Sequence, residues 1–193
     1  MDNDAEELRF RHKFTSSAYL VGSARAKLFM STPPDTDTGH DDMDVWVQLR
    51  KVDRSGHVLQ QLTIPTRDSP IPDAQVPVIN PLRYLGPSGA LRASYRAISP
   101  AESTPEFPEH DYTARDPVSP GQVVALDIGL WQTGMAFEEG ESLLFKVSGH
   151  PMTLAEFEPL RGAEPSQNHG RHILHFGADT PSALIVPFIN LNL

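Results

Sequence analysis

The clearest pattern along the chain is the alternation of apolar and polar residues over residues 43–52. One face carries apolar side chains and the other carries mostly polar ones: Val45, Val47 and Leu49 against Asp44, Trp46, Gln48 and Arg50. Side chains of a β-strand point alternately to opposite faces, so this spacing predicts a half-buried strand. The face of Val45, Val47 and Leu49 is expected to lie in a hydrophobic core.

Similar but shorter patterns predict further strands, separated by turn residues. The predicted segments are 8–14, 19–31, 57–64, 122–130, 142–149, 171–176 and 182–189. Gly22 is expected to mark a turn or bulge before the alternating residues of the second of them. Asp53-Arg54-Ser55-Gly56 has the composition of a hairpin turn, so 57–64 is expected to return along the strand at 43–52. The last two segments are expected to pair or to face each other across the core.

Two proline-rich stretches interrupt these strands. Residues 65–89 contain six prolines, and residues 99–121 end at Ser119-Pro120-Gly121. Proline lacks the backbone N–H that a strand or helix interior requires, so both stretches are predicted to be long irregular links. A possible capping box at Thr153–Glu156 allows at most one or two helical turns. The pattern therefore predicts an all-β, two-sheet sandwich that forms a single domain over residues 1–193.

The composition of the chain narrows the range of functions that it could have. The 193 residues contain no cysteine, which excludes disulfides and thiolate chemistry. The formal net charge is −9 and the 16 basic residues are scattered, which argues against nucleic-acid binding. No apolar run is long enough to span a membrane, so no membrane partner is expected. The first residues are charged and do not resemble a secretory signal, which favours a cytoplasmic location.

The chain lacks the sequence signature of a serine nucleophile. A nucleophile elbow needs Gly-x-Ser-x-Gly between a strand and a helix, and Gly86-Pro87-Ser88-Gly89 has the wrong spacing. His169, His172 and His175 are the best candidates for a metal site. Positions three apart on a strand point to opposite faces, so we expect structural roles for these imidazoles. The sequence therefore predicts no catalytic residue and no metal or other cofactor.

An acidic stretch suggests calcium as the remaining ion to consider. Its potential oxygen ligands are Asp35, Asp37, Asp41, Asp42 and Asp44, with Gly39 between them. The beginning resembles an EF-hand loop, but Trp46 stands where the bidentate Glu would be required. We therefore favour a solvated loop in which an Asp binds nearby backbone amides over an ion site.

Six short sequence motifs occur in an order that resembles their order in one enzyme family. They are Asp42-x-Asp44 with the following valines, Val52-Asp53 with Gly56, Leu91-Arg92-Ala93-Ser94-Tyr95-Arg96, Pro120-Gly121, Phe137 with Gly140, and the closing set Gly170, His172, Gly177, Ser182, Leu184, Pro187 and Ile189. Over residues 14–189 they resemble the C-terminal domain of the X-prolyl dipeptidyl-peptidase and cocaine-esterase-like (CocE/NonD) serine hydrolases.

The resemblance implies a jelly roll of the galactose-binding-like type. It also implies an accessory role: the domain would pack on an upstream α/β-hydrolase catalytic domain, which carries the Ser-His-Asp triad, and could contribute to contacts between subunits. The chain itself would not be an enzyme, and the parent reaction would be ester or amide hydrolysis. The alternative is a carbohydrate-binding module, because galactose-binding-like jelly rolls often bind sugars.

Trp46, Arg92 and Arg96 are the candidates for a domain interface. Trp46 lies opposite the core face of its predicted strand, where it would be a second core residue, a partly covered ring, or a contact with a catalytic domain or a sugar. Arg92 and Arg96 are four residues apart and are predicted to share one strand face with Ser94. For both arginines, structural ion pairs or a domain-facing patch are favoured over a ligand site.

The alternation at 43–52 gives the first testable prediction. Truncation of a buried Leu leaves a cavity, so Leu49→Ala should lower the free energy of unfolding by about 2–5 kcal/mol in a denaturant titration. A loss below roughly 0.5 kcal/mol, the range of surface substitutions, would mean that the predicted core face is inverted.

Overall fold

The structure is a computed structural model that describes residues 7–35, 42–62, 83–152, 166, 168 and 170–189. These residues form antiparallel β-strands and one short 3-10 turn at Ala93–Tyr95. The strands are β1 (Leu8–Lys13), β2 (Ala18–Gly22), β3 (Arg25–Ser31), β4 (Asp44–Val52), β5 (Gln61–Leu62), β6 (Arg83–Tyr84), β7 (Ser88–Arg92), β8 (Val124–Gly129), β9 (Thr133–Phe137), β10 (Ser142–Ser148), β11 (Ile173–His175), β12 (Ala183–Ile185) and β13 (Phe188–Ile189).

The strand predicted most clearly, β4, lies inside a four-stranded sheet with the order β1-β10-β4-β7. On one side β10 pairs with β4, placing Phe145 opposite Leu49, and on the other side β7 places Leu91 opposite Val45. Val45, Val47 and Leu49 are at most 1% exposed, which confirms the predicted core face. The opposite face is also largely covered, since Gln48 is 0% exposed.

The second layer is built on β2 and β3, which follow each other along the chain. β3 pairs with β8 along one edge and with β11 and β12 along the other. Likewise, β2 pairs with β9 along one edge and with β13 along the other. Hydrogen bonds continue across the break: Leu130 N–H donates to the Ala24 carbonyl at 2.8 Å, and Val21 N–H to the Pro187 carbonyl at 3.1 Å. The predicted segment 19–31 is therefore two strands interrupted at Gly22, whose φ of 121° suits glycine.

The two layers enclose one core. Apolar side chains alternate inward from both sheets, and the buried cluster is Phe14, Leu20, Ala24, Ala26, Leu28, Met30, Met43, Val45, Val47, Leu49, Leu91, Ala93, Val118, Val124, Leu126, Ile128, Leu130, Phe137, Leu143, Phe145 and Val147. The predicted all-β sandwich is confirmed, and its layers are assembled from several antiparallel sheets. Its assignment as a jelly roll of galactose-binding-like type stays a prediction.

Within the described residues, the predicted hairpin return at 57–64 is confirmed as far as Leu59 and wrong for the residues that follow it up to Leu62. Val58 forms a single bridge with Val52, and Leu59 N–H donates to the Lys51 carbonyl at 2.8 Å. The chain then leaves β4, and β5 pairs with β6. The reason is that β10 and β7 already pair with the two sides of β4, so a returning strand can bond only to its last residues.

The last two predicted segments do not pair with each other. β11 and β12 follow one another along the same edge of β3, with Leu174 opposite Met30 and Leu184 opposite Ala26. The segment 182–189 is divided into β12 and β13 at Val186 and Pro187, because proline cannot donate to the ladder. In contrast, β9 was not predicted, since its sequence TGMAF alternates weakly and contains a glycine.

The proline-rich links are only partly described. Residues 99–121 are irregular, as predicted, apart from a bridge between Ile98 and His110. Much of the other link, residues 63–82, and the predicted helical turns at 153–156 lie outside the described residues. The strands β6 and β7 begin within 83–89, which corrects the predicted end of that link. No helix in the described part of the chain has the length and apolar character needed to cross a bilayer.

The sandwich is closed at one edge and open at the other. At the closed edge β7 approaches β8 so closely that a Cβ at Gly89 would lie 2.1 Å from the Gly129 carbonyl oxygen. Beside it, Trp131 N–H donates to the Ser88 carbonyl at 3.2 Å. At the opposite edge, a cleft separates β1 from β11 and β12.

The close approach at Gly89 gives a prediction with a matched control. Gly89→Ala should lower the free energy of unfolding by about 2 kcal/mol or more, because its Cβ meets backbone atoms that cannot rotate away. Gly134→Ala in β9 should be neutral or stabilising by up to about 1 kcal/mol, since nothing lies within 4 Å of its Cβ position. Equal effects of the two substitutions in thermal unfolding would contradict this account of the closed edge.

Candidate functional site

Asp42 connects the start of β4 to the turn that follows β7. One carboxylate oxygen accepts hydrogen bonds from the N–H groups of Met43 at 2.9 Å and Ser94 at 2.8 Å, and the other accepts one from Arg115 at 3.1 Å. Asp42 is 4% exposed, so these donors offset the cost of burying its charge. The prediction that an Asp of the acidic stretch orders backbone amides is therefore confirmed.

Asp44 and Arg92 form an ion pair across β4 and β7. The guanidinium donates to both carboxylate oxygens, at 2.7 and 3.0 Å, and the two residues are register partners. Hydrogen bonding to Asp44 raises the pKa of Arg92. Asp44 is 5% exposed, whereas the Arg92 side chain is 36% exposed. Arg92 is thus held in a structural ion pair while part of it still reaches the surface.

Arg96 does not share a strand face with Arg92, which corrects the prediction. β7 ends at Arg92, and Arg96 N–H donates to the Ala93 carbonyl at 3.2 Å to close the 3-10 turn. The bond from Ser94 N–H to Asp42 takes this segment out of the sheet. The Arg96 guanidinium donates to the Ala93 carbonyl at 3.1 Å and forms a short ion pair with Asp116. Its role in the described contacts is to hold the turn against the following link.

Asn168 joins the same region to the end of β10. Its side-chain oxygen accepts from Asp44 N–H at 2.7 Å, and its amide nitrogen donates to the carbonyls of Asp44 at 2.8 Å and Gly149 at 2.7 Å. Only a carboxamide combines an acceptor with two donors in this way. Local sequence patterns give no signal for this role, because the carbonyl partner at Gly149 is 19 positions away.

The histidines do not converge on a common point. The His175 ring lies 2.9 Å from the Ser31 hydroxyl, whereas His172 lies beside Gly149. His169 lies outside the described residues. Burial lowers the pKa of His172, and the carboxylate of Asp44 opposes this effect. No three His, Asp or Glu side chains among the described residues are grouped closely enough to share a metal ion.

Among the described residues, the carboxylates give little support to a calcium site. The carboxylates of Asp42 and Asp44 are engaged by N–H donors of the protein, which are groups that a cation would repel. Asp35 lies in a turn, and Asp37, Gly39 and Asp41 lie outside the described residues.

The serines near histidines lack the arrangement of a catalytic pair. Ser31 contacts His175 but is 2% exposed, so a substrate could not reach its hydroxyl. Ser88 lies in β7, where its carbonyl accepts the Trp131 N–H, and not on a strand-to-helix turn. A nucleophile must be exposed at its attacking atom and oriented by a base. Neither serine satisfies both requirements.

Trp46 lies on the non-core face of β4, as predicted. Its register partners are Ala90 on β7 and Ser148 on β10, and the residue is half-buried. Arg92 is opposite Asp44, one position further along this face. Trp131, in the link between β8 and β9, is 75% exposed, and the sequence reading did not single it out. A lone aromatic residue between two strands carries no periodic signal of exposure.

A second apolar surface was also missed and surrounds the open edge of the sandwich. Its large side chains are 38–60% exposed: Leu8, Phe10, Phe176 and Phe188. Phe10 contacts Phe176 edge-on, with 5.7 Å between ring centroids. Contiguous exposed apolar side chains are typical of interaction surfaces in soluble proteins. The alternation in β1 was visible in the sequence, but it gave no indication that the apolar face would remain uncovered.

Comparisons with known proteins found one matching family and several similar structures. The model of the X-Pro dipeptidyl-peptidase C-terminal non-catalytic domain matches residues 2–185. Two crystal structures of a CocE/NonD family hydrolase from Staphylococcus aureus are similar. The first has a TM-score of 0.78 and 25% identity over 97% of this chain and 31% of that chain, and the second has 0.75 and 26% over 95% and 30%.

An α-amino acid ester hydrolase shares the fold, with a TM-score of 0.57 and 18% identity over 97% of this chain and 26% of that chain. No match was found among curated proteins. The chain therefore spans about a third of the length of the Staphylococcus aureus hydrolase.

The burial of His172 predicts a pH dependence of stability. The unfolded chain protonates this histidine near pH 6.5, while the folded chain, with its lowered pKa, resists protonation. The free energy of unfolding should therefore fall as pH decreases below about 6.5, by at most about 1.4 kcal/mol per pH unit from this residue. His172→Gln should flatten the curve below about pH 6.5 in urea titrations. Parallel curves for the two proteins would contradict the assignment.

Proposed function

Because the chain belongs to the family of X-Pro dipeptidyl-peptidase C-terminal non-catalytic domains, we propose that residues 1–193 form one accessory domain of a larger serine hydrolase. The domain packs on the α/β-hydrolase catalytic domain of an X-prolyl dipeptidyl-peptidase or cocaine-esterase-like enzyme and stabilises it. The parent reaction under this proposal is ester or amide hydrolysis by a Ser-His-Asp triad that lies outside this chain.

The observation that carries the proposal is the relation of this chain to the CocE/NonD hydrolase of Staphylococcus aureus. The chain covers 31% of that protein, with similar structure along 97% of its own length. It therefore corresponds to a distinct part of a hydrolase polypeptide. The chain is a non-catalytic domain, and the described Ser31 and His175 side chains contact each other in the interior of the fold.

The contact surface that we propose includes Trp46, Arg92 and Arg96. Trp46 and Arg92 project from the same face of the first sheet, and the indole is half-buried although it belongs to the non-core side. Aromatic and arginine side chains contribute much of the binding energy at protein interfaces. The ion pairs with Asp44 and Asp116 hold both guanidinium groups in place, which reduces the entropy lost on binding.

The carbohydrate-binding alternative is not favoured, because the similar proteins are hydrolases and the matching family is a hydrolase domain. A contribution to contacts between subunits is part of the proposal, since an accessory domain at the surface of its enzyme can pair with a second copy. Light scattering of the whole hydrolase would measure that contribution.

The proposal predicts different effects for the two tryptophans. The hydrolase polypeptide that carries this domain would be expressed with and without it, and deletion should lower the melting temperature and the turnover of a p-nitrophenyl ester or an X-Pro-p-nitroanilide. In the complete enzyme, Trp46→Ala should destabilise the contact between this domain and the catalytic domain by about 1–4 kcal/mol. Trp131→Ala serves as the control. Unchanged stability and activity after deletion would overturn the accessory role. A larger effect of Trp131→Ala than of Trp46→Ala would show that the interface lies at Trp131.

A further inference from the structure

The strand β1 lies at the open edge of the sandwich, beside an apolar cleft. Among the described strands it pairs only with β10, and all six of its residues are exposed. The adjoining cleft has a volume of about 420 Å³ and is lined mainly by apolar side chains. It extends inward to core residues, including Leu28 and Phe145. Both an unpaired backbone edge and an apolar depression are therefore available at the same place.

The orientation of the β1 backbone follows from its last contact with β10. Phe14 N–H donates to the Glu141 carbonyl at 2.9 Å, and the register between the two strands is regular from Leu8 to Lys13. Successive amides in an antiparallel strand point alternately to its two sides. The N–H and carbonyl groups of Arg9, Arg11 and Lys13 therefore point away from β10, toward the side on which no described strand pairs with β1.

The side chains of β1 separate into two chemically different faces. Leu8 and Phe10 are on the side of the core and the cleft, and they are 46% and 38% exposed. Arg9, Arg11 and Lys13 are on the other side. Arg9 contacts Glu7 at 3.3 Å and has a further contact, whereas no ion pair of Arg11 or Lys13 is found among the described residues. This basic row is a local reversal of charge in a chain whose formal net charge is −9.

We propose that an extended segment of a partner polypeptide, in which apolar and acidic residues alternate, adds to the unpaired edge of β1 as a further antiparallel strand. Its backbone would bond to the outward amides and carbonyls of Arg9, Arg11 and Lys13, as in other cases of strand addition. Its apolar side chains would contact Leu8, Phe10 and the cleft. Its carboxylates would lie opposite the basic row, because directly opposed residues share a face.

The charges select this partner over two others. A second copy paired through β1 would place Arg and Lys opposite Arg and Lys, which is destabilising. A small apolar ligand would use the cleft but would leave the backbone edge and the basic row without a role. Basic residues on an edge strand also protect against self-pairing, and such protection is compatible with pairing to an acidic segment.

The test measures binding of a labelled seven-residue peptide, in which Glu alternates with Leu and Phe, to the purified chain by fluorescence anisotropy. Two peptides serve as controls: one with the same residues in acidic and apolar blocks, and one with Lys in place of Glu. We expect the alternating acidic peptide to bind more tightly than both, and its affinity to fall as salt is increased. Equal affinity for the block peptide would show simple charge attraction and would overturn the proposal.

Variants of β1 separate the contributions of charge and backbone. Arg11→Ala should weaken binding about two- to fivefold through the lost ion pair. Arg11→Pro should weaken it roughly a further three- to tenfold, because it also removes an outward N–H without breaking the β1–β10 ladder. Lys27→Ala, on an exposed position of the interior strand β3, is the matched control and should leave the affinity unchanged.

Three further outcomes, measured on the folded chain, would overturn the inference. The first is equal binding by the Arg11→Ala and Arg11→Pro variants, with retained β-sheet circular dichroism. The second is tighter binding of the Lys peptide. The third is a dimer in sedimentation experiments that Arg11→Glu disrupts. All of these measurements use the chain without a hydrolase, so their failure would leave the proposed accessory function untouched.

Discussion

The buried carboxylates of Asp42 and Asp44, at the start of β4, are the constraint on which the rest of the structure depends. Ionised groups removed from water are tolerated only with full hydrogen bonding. The donors come from segments that are distant in sequence: Ser94 and Arg115 for Asp42, and Arg92 for Asp44. Through Asn168 the same region also reaches the end of β10. The central strand of the first sheet is therefore held at one end by contacts with several other parts of the chain.

The two edges of the sandwich differ in how completely they are closed. At β7 and β8, glycines permit backbone contact, and no side chain could be added at Gly89 without displacing the opposite strand. At β1 the backbone has no described partner on one side, and apolar residues remain exposed around the cleft. A fully closed sandwich would offer only side chains to a partner, whereas this asymmetry leaves backbone groups accessible at β1 as well.

The polar side chains near the core contribute to the fold of the chain. The hydroxyl of Ser31 and the ring of His175 contact each other in a nearly buried site, and His172 is kept largely out of water. These groups do not meet the requirements of an exposed nucleophile with an oriented base. Membership of a family of non-catalytic domains agrees with this arrangement. Under the proposed accessory function, the domain acts through the surfaces that it presents to other polypeptides.

The sequence by itself determined the sandwich, the core face of Val45, Val47 and Leu49, the lack of a nucleophile elbow and the family, because each depends on local alternation or on short phrases. Only the tertiary structure decided that 57–64 leaves β4, that β7 ends at Arg92, and that Asn168 and Gly149 meet. It also showed that Trp131 and the β1 edge are exposed. The physical reason is that strand partners and side-chain environments depend on contacts between residues far apart in sequence, which periodicity does not encode.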